Sequence, residues 1–330
     1  MIRNTTLILL AASFSGCSDY NFNKDGYDPS PGDTGVYTTE CLITEHEESP
    51  VALLKACNAE PETGTFNPVV KWYKPTWSEH TDSYNIMMTP IVVSLTDDNA
   101  DGLIDQNDIP DVLAITYYTP VVLRAVSGDD GSEIFNIPGD WQITGALAAG
   151  DIDGDGMVEI IVPKQDYSVA ALEHDGTVKW TSTQLYGHIV GTSDAPSIAD
   201  MDGDGNPEII IGKAILSNTG AVIGTGSYGM GYNTGNVGAT SVVADLNVDG
   251  QQEVIVGNAV YSMNGTAICS NSNMDGYPAV GDFDADGEGE FVVVSQAGEV
   301  RLHETDCQPV WSAQIPGATQ TYFGGPPTVA

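Results

Sequence analysis

The sequence predicts an all-β fold, a β-propeller of four-stranded blades, on two observations. The first is an acidic motif, D-x-[DN]-x-D-G-x-x-[DE], which occurs five times with its first aspartates at positions 97, 151, 200, 245 and 282. These aspartates are 54, 49, 45 and 37 residues apart, and repeats of about this size are typical of propellers and other arrays. The second is the order of apolar segments, because one short apolar strand precedes the motif and further strands follow it.

Tight turns separate the predicted third and fourth strands of each unit. Four of the units have glycine-containing turns that suit antiparallel hairpins: Asp130-Gly131, Asp175-Gly176, Asn218-Thr219-Gly220 and Asn264-Gly265. The fifth unit has Thr305-Asp306-Cys307 at this place, which is a weaker turn signal. Each unit is therefore expected to form four antiparallel strands, as a propeller blade does.

The acidic motif has the residue types and spacing of a calcium loop. Ca²⁺ takes six to eight oxygen ligands, and short acidic side chains at positions one, three, five and nine can converge on one ion. Glycine at position six permits the positive φ that folds the loop over the metal. Solvated Asp-Gly turns are the alternative explanation of a single copy, but five copies in one frame favour metal binding.

Apolar β-type runs follow the motif directly, whereas an EF-hand needs flanking helices and an acid at position twelve. The sequence therefore predicts about five Ca²⁺ sites in loops between the first and second strands of the blades. The predicted ligands are Asp97, Asn99, Asp101, Asp105, Asp151, Asp153, Asp155, Glu159, Asp200, Asp202, Asp204, Glu208, Asp245, Asn247, Asp249, Glu253, Asp282, Asp284, Asp286 and Glu290.

These units resemble the FG-GAP/VCBS-type repeats of integrin-α-like propellers and many bacterial surface proteins. The resemblance covers residues 89–330 and lies mainly in the calcium-ligand pattern. The Gly-Ala-Pro part is degenerate and survives as Asp194-Ala195-Pro196 and Gly276-Tyr277-Pro278. The resemblance implies calcium loops on one face of the propeller and a partner on the opposite face.

The charge of the chain excludes some classes of partner. The formal net charge is −36, with 46 acidic residues and only 10 lysines and arginines. Such a balance argues against nucleic acid and against binding of anionic membrane through basic patches.

The N-terminus predicts export. Residues 1–16 contain Arg3, a short apolar run and Phe14-Ser15-Gly16 before Cys17, and they resemble a bacterial lipoprotein signal with lipid attached to Cys17. An ordinary secretory signal is the alternative. Both place the protein outside the cytoplasm. The lipoprotein resemblance implies anchoring in the cell envelope, at the outer membrane or cell surface, with membrane contact through the lipid alone.

The rest of the chain divides into three parts. Residues 17–38 are rich in Asp, Gly, Pro and Asn and are predicted to form a flexible tether. Residues 39–88 are a mixed segment in which Val70-Lys71-Trp72 recurs later as Val178-Lys179-Trp180, so this early triplet is a candidate ring-closing strand. Residues 89–330 contain the repeats.

Four cysteines remain for disulfides once Cys17 is set aside. An even number of cysteines in an exported protein favours disulfide bonds, and three pairings are possible. Proximity in the sequence favours Cys41–Cys57 and Cys269–Cys307.

The end of the sequence repeats the start of a blade. Gly325-Pro326-Pro327-Thr328-Val329-Ala330 parallels Asp194-Ala195-Pro196-Ser197-Ile198-Ala199, after which Asp200 opens a metal loop. This parallel predicts a truncated propeller of five blades and the start of a sixth, from an intact form of about seven.

No catalytic constellation emerges, because the five histidines are scattered and the metal loops account for most clustered acids. We therefore expect a monomeric, non-enzymatic binding or adhesion module for an extracellular protein or glycan. The alternative is the propeller part of an extracellular carbohydrate-active enzyme, a lyase or hydrolase, with its catalytic residues on the open face or in a further C-terminal domain.

Overall fold

The regular structure of the chain is entirely β in the part that the structure covers. The computed structural model describes residues 68–232, 238–318 and 325–329, and it contains 21 strands there. The chain divides into two compact units, one of which contains Lys71–Ala330 and all of these strands. In the described ranges, no helix has the length and apolar character needed to cross a membrane.

The strands form five antiparallel sheets that follow one another along the chain. The first contains β1 (Asn85–Ile86), β2 (Ile91–Val93), β3 (Asp111–Tyr117), β4 (Val122–Val126) and β5 (Glu133–Pro138). The second contains β6 (Ala148–Gly150), β7 (Glu159–Pro163), β8 (Val169–Leu172) and β9 (Val178–Thr181). The third contains β10 (Pro196–Ala199), β11 (Glu208–Ile211), β12 (Ala214–Leu216) and β13 (Val222–Thr225). The fourth contains β14 (Val242–Ala244), β15 (Glu253–Val256), β16 (Ala259–Tyr261) and β17 (Ala267–Ser270). The fifth contains β18 (Gly276–Gly281), β19 (Glu290–Ser295), β20 (Glu299–His303) and β21 (Pro309–Gln314).

The first sheet has the same plan as the others, with its first strand in two pieces. β1 and β2 both pair antiparallel with β3, through Asn85 opposite Tyr117 and Ile91 opposite Leu113. Each sheet is therefore a simple meander in which four consecutive strand positions are neighbours.

The second strand of a blade is buried on both faces, which explains its continuous apolar sequence. In β7, Ile160 and Val162 pack in a core shared with the first sheet, whereas Ile161 packs in a core shared with the third. Successive side chains of a strand point to opposite faces, so one strand supplies both cores. In β11, Ile209 and Ile210 divide in the same way between the second and fourth sheets.

The order of burial across each sheet is that of a propeller blade. The first strands β6, β10, β14 and β18 lie beside one another in sequence order, whereas the fourth strands are more exposed. Blades packed face to face with their first strands inward form a propeller. The predicted all-β fold of four-stranded blades is confirmed, and five sheets are present.

One contact repeats between the fourth strand of a blade and a turn of the next. Trp180 donates its Nε1–H to the carbonyl oxygen of Asn218 at 2.8 Å and packs against the turn glycine Gly220. Trp72 donates in the same way to the carbonyl oxygen of Gly128, at 3.0 Å, in the corresponding turn of the first sheet. Trp72 thus occupies the place that a fourth-strand tryptophan of a preceding blade would occupy.

Several predictions concern residues outside the described part of the chain. These are the signal in residues 1–16, lipidation of Cys17, the tether in residues 17–38 and the Cys41–Cys57 pairing. From residue 68 to Tyr84 the described backbone contains no strand. The ring-closing strand therefore stays a prediction, as does the total number of blades.

Candidate metal sites

Each acidic motif forms the loop between the first and second strands of its blade, as predicted. In the third sheet, Asp200 accepts hydrogen bonds from the N–H groups of Asp204, at 3.0 Å, and Gly205, at 3.0 Å. Asp204 then accepts from the N–H of Asn206 at 2.8 Å. The other loops repeat the bond from the sixth residue to the first, at Asp97, Asp151, Asp245 and Asp282. The side chain at the first position therefore closes each loop.

Two residues of every loop have left-handed backbone conformation. The glycine at position six has φ between 85° and 96° in all five copies. Position four is also left-handed, and it is glycine in only two copies; Ala100, Val248 and Ala285 adopt φ values of 59°, 57° and 64°. Non-glycine residues rarely adopt this region, so these loops hold an unfavourable local conformation that their hydrogen bonds stabilise.

The acid at position nine is buried and fixes the loop to the sheet. Glu159 begins β7, is fully buried, and accepts at Oε2 a hydrogen bond of 2.9 Å from the N–H of Ile152. The same bond occurs at Glu208, Glu253 and Glu290, with donors Met201, Leu246 and Phe283. One carboxylate oxygen of each glutamate is thereby occupied, which leaves the other oxygen for a further partner.

Four groups of acidic side chains could hold a metal ion. In each, one ligand atom per residue lies within 4.8 Å of the others. The groups are Asp282, Asp284, Asp286 and Glu290; Asp151, Asp153 and Glu159; Asp155, Glu159 and Glu173; and Asp200, Asp202 and Glu208. Three of the five predicted loops therefore converge at their acidic oxygens.

The fifth blade has an acidic oxygen with nothing to bind in the described structure. Glu290 is only 2% exposed, and its Oε1 has no hydrogen-bond partner among the described residues. A buried, unpaired carboxylate oxygen is costly, and a cation beside it would remove that cost.

The loops at Asp97 and Asp245 differ from the other three. Both have asparagine at position three, and in the described chain neither assembles three acidic or histidine ligand atoms within the same distance. Their remaining predicted ligands, Asp101, Asp105, Asn99, Asn247 and Asp249, lie in the loops. Asparagine at position three leaves each of these two motifs with three acidic ligands, one fewer than the other motifs have.

The closing acid of the first loop is one that the motif did not identify. Asp105 accepts a hydrogen bond from the N–H of Asn107, at 2.7 Å, within the loop itself. Asp111 instead begins β3, pairs with the end of β2, and accepts the N–H of Leu95 at 3.0 Å, as Glu159 accepts that of Ile152. The first loop is longer, so strand pairing, rather than the count of nine, shows this equivalence.

The acids at the head of the second strand resist ionisation. Burial raises the pKa of Glu208, Glu253 and Glu290 above the usual value, and aspartates of the same loops add to the increase against one backbone hydrogen bond each. Burial also raises the pKa of Glu159. A neighbouring cation would favour the charged form of each group.

Sequence reasoning missed Lys179, whose side chain enters the loop of the second blade. Its Nζ lies 2.6 Å from Asp153 Oδ2, 3.2 Å from Glu159 Oε1 and 3.0 Å from Glu173 Oε1. Partial burial lowers the pKa of Lys179, but the hydrogen bonds to Asp153, Glu173 and Glu159 outweigh it and raise the pKa above its usual value. The signal in the sequence was a lysine in a fourth strand, which only the fold places near the loop.

A disulfide joins the fourth and fifth blades. Cys269 of β17 and Cys307, in the turn between β20 and β21, form this bond with their Cα atoms 5.7 Å apart. Cys307 is fully buried. In the turn of the fifth unit, Cys307 itself adopts the left-handed conformation, with φ of 64°.

The edge of the blades opposite the metal loops carries exposed tyrosines. The rings of Tyr84 and Tyr118 stack with centroids 6.0 Å apart and are 60% and 56% exposed. In the next blade the ring centroids of Tyr167 and Tyr186 lie 4.6 Å apart. These residues lie at the turns from the second to the third strand and at the blade connections, where an antiparallel meander reaches the other edge.

Comparisons with known proteins identify the fold. No protein-family model matches the sequence, and no curated protein matches it either. Among solved structures, the chain is similar to the V. cholerae biofilm matrix protein Bap1, with 28% identity, a TM-score of 0.65, and coverage of 75% of this chain and 42% of that one. A rhamnogalacturonan lyase of Bacillus licheniformis matches with 16% identity and a TM-score of 0.50, covering 69% of this chain and 51% of the lyase.

The chain thus spans about half the length of these two structures or less. The likeness to the lyase shows the fold alone, at so low an identity. Together with the sheet topology, the matches show that this chain has a β-propeller-like fold of four-stranded antiparallel sheets, with acidic clusters in the loops between first and second strands.

Proposed function

We propose that this chain is a calcium-binding β-propeller of the FG-GAP/VCBS type. The observation that carries the metal is Glu290, which clusters with three aspartates and whose buried Oε1 has no partner among the described residues. All the donors are hard oxygens, which Ca²⁺ prefers. Two oxygens on opposite sides of Ca²⁺, at about 2.4 Å each, are about 4.8 Å apart, and the clustered atoms lie within that distance.

Titration of calcium into metal-free protein tests this assignment. We expect saturable binding heat in calorimetry and a higher melting temperature with calcium than with EDTA, because binding to the folded state alone stabilises it. Asp284→Asn should lose one site, whereas Asp82→Asn, at an exposed acid outside the acidic loops, should keep the wild-type number. Absence of binding heat together with identical melting curves would overturn the proposal.

We further propose that the protein works outside the cytoplasm in the cell envelope. The disulfide between Cys269 and Cys307 supports export, since such bonds persist in oxidising compartments. The likeness to a biofilm matrix protein supports an extracellular place. The lipoprotein-like N-terminus adds a lipid on Cys17 that holds the propeller at the outer membrane or cell surface.

The proposed activity is binding or adhesion, without catalysis, by a monomer. The ligand is an extracellular glycan or protein. Its proposed site is the tyrosine edge, the blade edge that carries Tyr84, Tyr118, Tyr167 and Tyr186. Tyrosine presents a large apolar ring and a polar hydroxyl at low entropic cost, which suits the faces and hydroxyls of sugars. A net charge of −36 favours a neutral glycan over a polyanion.

Affinity electrophoresis through gels that contain neutral or anionic polysaccharides tests the ligand. With calcium present, we expect a neutral polysaccharide to slow the wild type, and the double variant Tyr118→Ala with Tyr186→Ala to migrate freely. Tyr73→Ala is the matched control, because Tyr73 is 79% exposed and lies outside both pairs. Equal retardation of the double variant and the wild type would exclude the tyrosine edge.

A further inference from the structure

Lys179 sits among the oxygens of two of the four acidic clusters. Its Nζ contacts Asp153 and Glu159, from the first cluster of the second blade, and Glu173, from the other. Glu159 is fully buried, and the lysine side chain is only 20% exposed. The ammonium group therefore occupies the position at which these carboxylates converge.

The register of the fourth strand explains how the lysine gets there. Trp180 pairs with Ala171 and Val178 with Leu172, so Lys179 is an extra, bulged residue between two paired positions. A bulge redirects a side chain locally. This bulge directs Lys179 to the metal-loop edge of the sheet.

The same bulge occurs in all five blades, but the other four have an aliphatic residue in it. The registers of the other third and fourth strands each skip one residue. The skipped residues are Ile134, Ile223, Ile268 and Val310. The lysine of the second blade is therefore a specific exception to a repeated structural position.

The fifth blade shows the opposite arrangement. Glu304 follows β20 as Glu173 follows β8, so an acid stands at the same place in both blades. In the fifth blade Val310 replaces the lysine, and Glu290 Oε1 is left without a partner in the described structure. This cluster has the acids of the second blade without its internal cation.

An ammonium group and a calcium ion cannot use the same oxygens together. Calcium ligands lie at about 2.3–2.6 Å from the ion, within the space that Nζ now fills. Two cations that share these oxygens would repel each other strongly, even at an effective dielectric constant of about 20. Calcium could enter this loop only by displacing Lys179.

We propose that the Lys179 ammonium is a built-in substitute for the metal cation in the second blade. This loop is then ordered without calcium, whereas the acidic cluster of the fifth blade requires the ion. The inference rests on the proposed calcium binding of the other loops. It assigns the chain at least one blade whose stability does not depend on the ion.

Calcium stoichiometry of the 330-residue chain and of Lys179→Met tests the proposal. Methionine retains the length of the side chain and removes the charge. We expect Lys179→Met to bind one more calcium per chain than the wild type in isothermal calorimetry. Ile223→Met, at the same bulge of the third blade, should keep the wild-type number. An unchanged number in Lys179→Met would overturn the proposal.

A second variant keeps the test decisive if Lys179→Met folds poorly. Asp153→Asn should retain the wild-type number of calcium ions, because the loop holds none, whereas Asp284→Asn should lose one. Loss of one calcium ion in Asp153→Asn would overturn the proposal that the Lys179 ammonium takes the place of the ion.

Melting in EDTA separates this inference from the proposed function. Without metal, Lys179→Met should melt at a lower temperature than the wild type, because its loop carboxylates then repel one another, and saturating calcium should close the gap. If no variant binds calcium, the proposed function fails, and the EDTA comparison still decides the role of Lys179. Equal melting temperatures in EDTA would exclude that role.

Discussion

The buried carboxylate of Glu159 accepts a hydrogen bond of 2.9 Å from the backbone N–H of Ile152. Glu159 begins the second strand of its blade, and Ile152 lies in the acidic loop that precedes it. The bond joins the loop to the sheet, and the corresponding glutamates of the three following blades repeat it. In the third, fourth and fifth blades this closing acid therefore has a structural role in addition to its proposed role as a metal ligand, and substitutions can separate the two.

Glu208→Gln should separate these roles in the third blade. The amide oxygen can still accept the N–H of Met201, but the charge that burial and the nearby Asp202 disfavour is gone. We expect the free energy of unfolding in EDTA to rise and the stabilisation by calcium to fall, because an uncharged group is favoured at this buried position. Urea denaturation with and without calcium measures both.

Glu208→Ala is the control, because it removes the acceptor as well as the charge. It should lower the stability in EDTA by about 2 kcal/mol, since a buried N–H loses its partner. Equal losses in the two variants would contradict the separation.

Glu133, the first residue of β5, should make the stability of the protein depend on pH. It lies 2.8 Å from Lys74 Nζ and accepts the N–H of Ser78 at 2.9 Å. Burial raises its pKa, but the bonds to Lys74, Ser78 and Asn136 outweigh burial and lower the pKa from 4.5 to about 2. The folded-state pKa is depressed, so the stabilisation is fully present above the unfolded value of 4.5 and is lost as the pH falls toward about 2.

Glu133→Gln should therefore cost up to about 3 kcal/mol at pH 7, and the difference from the wild type should shrink at pH 3. Urea denaturation at several pH values measures it. Asp129→Asn is the control, because the ion pair between Asp129 and Lys71 is exposed and is worth less than about 1 kcal/mol. A pH-independent cost of Glu133→Gln would contradict the assignment.

Removal of the disulfide should destabilise the last two blades. Cys269 and Cys307 are 38 residues apart, and closing a loop of that length in the unfolded chain is worth about 2–4 kcal/mol. We expect the Cys269→Ala, Cys307→Ala double variant to lose this amount in urea denaturation. Reductant should lower the stability of the wild type by at least this amount, because the predicted Cys41–Cys57 bond would be reduced as well. A wild type whose stability reductant leaves unchanged would contradict the pairing.

Gly220→Ala should destabilise the contact between the second and third blades. A Cβ at Gly220, where φ is 80°, would lie 2.5 Å from Trp180 Cε3. Gly187→Ala is a matched control, because φ is 76° there and no heavy atom lies within 4 Å of the added carbon. We expect the free energy of unfolding to fall by about 1 kcal/mol in the control, because of the unfavourable φ alone, and by about 2–4 kcal/mol in Gly220→Ala. Similar losses in thermal or urea unfolding would contradict a steric role for Trp180.

Much of the fold and part of the site could be predicted from local pattern. The acidic motif is short, so its spacing alone identified the loops, and the apolar runs after it identified second strands such as β7 and β11. Asp111 was not identified, because its equivalence to Glu159 depends on strand pairing across a longer loop.

The sequence by itself determined the five acidic loops, the four-stranded units and the strongly acidic surface, since each depends on residues close together in the chain. Only the tertiary structure decided which oxygens converge and that Asp111 closes the first loop. It also brought Lys179 into the acidic cluster of the second blade, where its Nζ lies 3.2 Å from Oε1 of Glu159, a residue twenty positions earlier in the chain. Such contacts arise from the register and the bulge of paired strands, because hydrogen bonding between strands, rather than distance along the chain, places these side chains together.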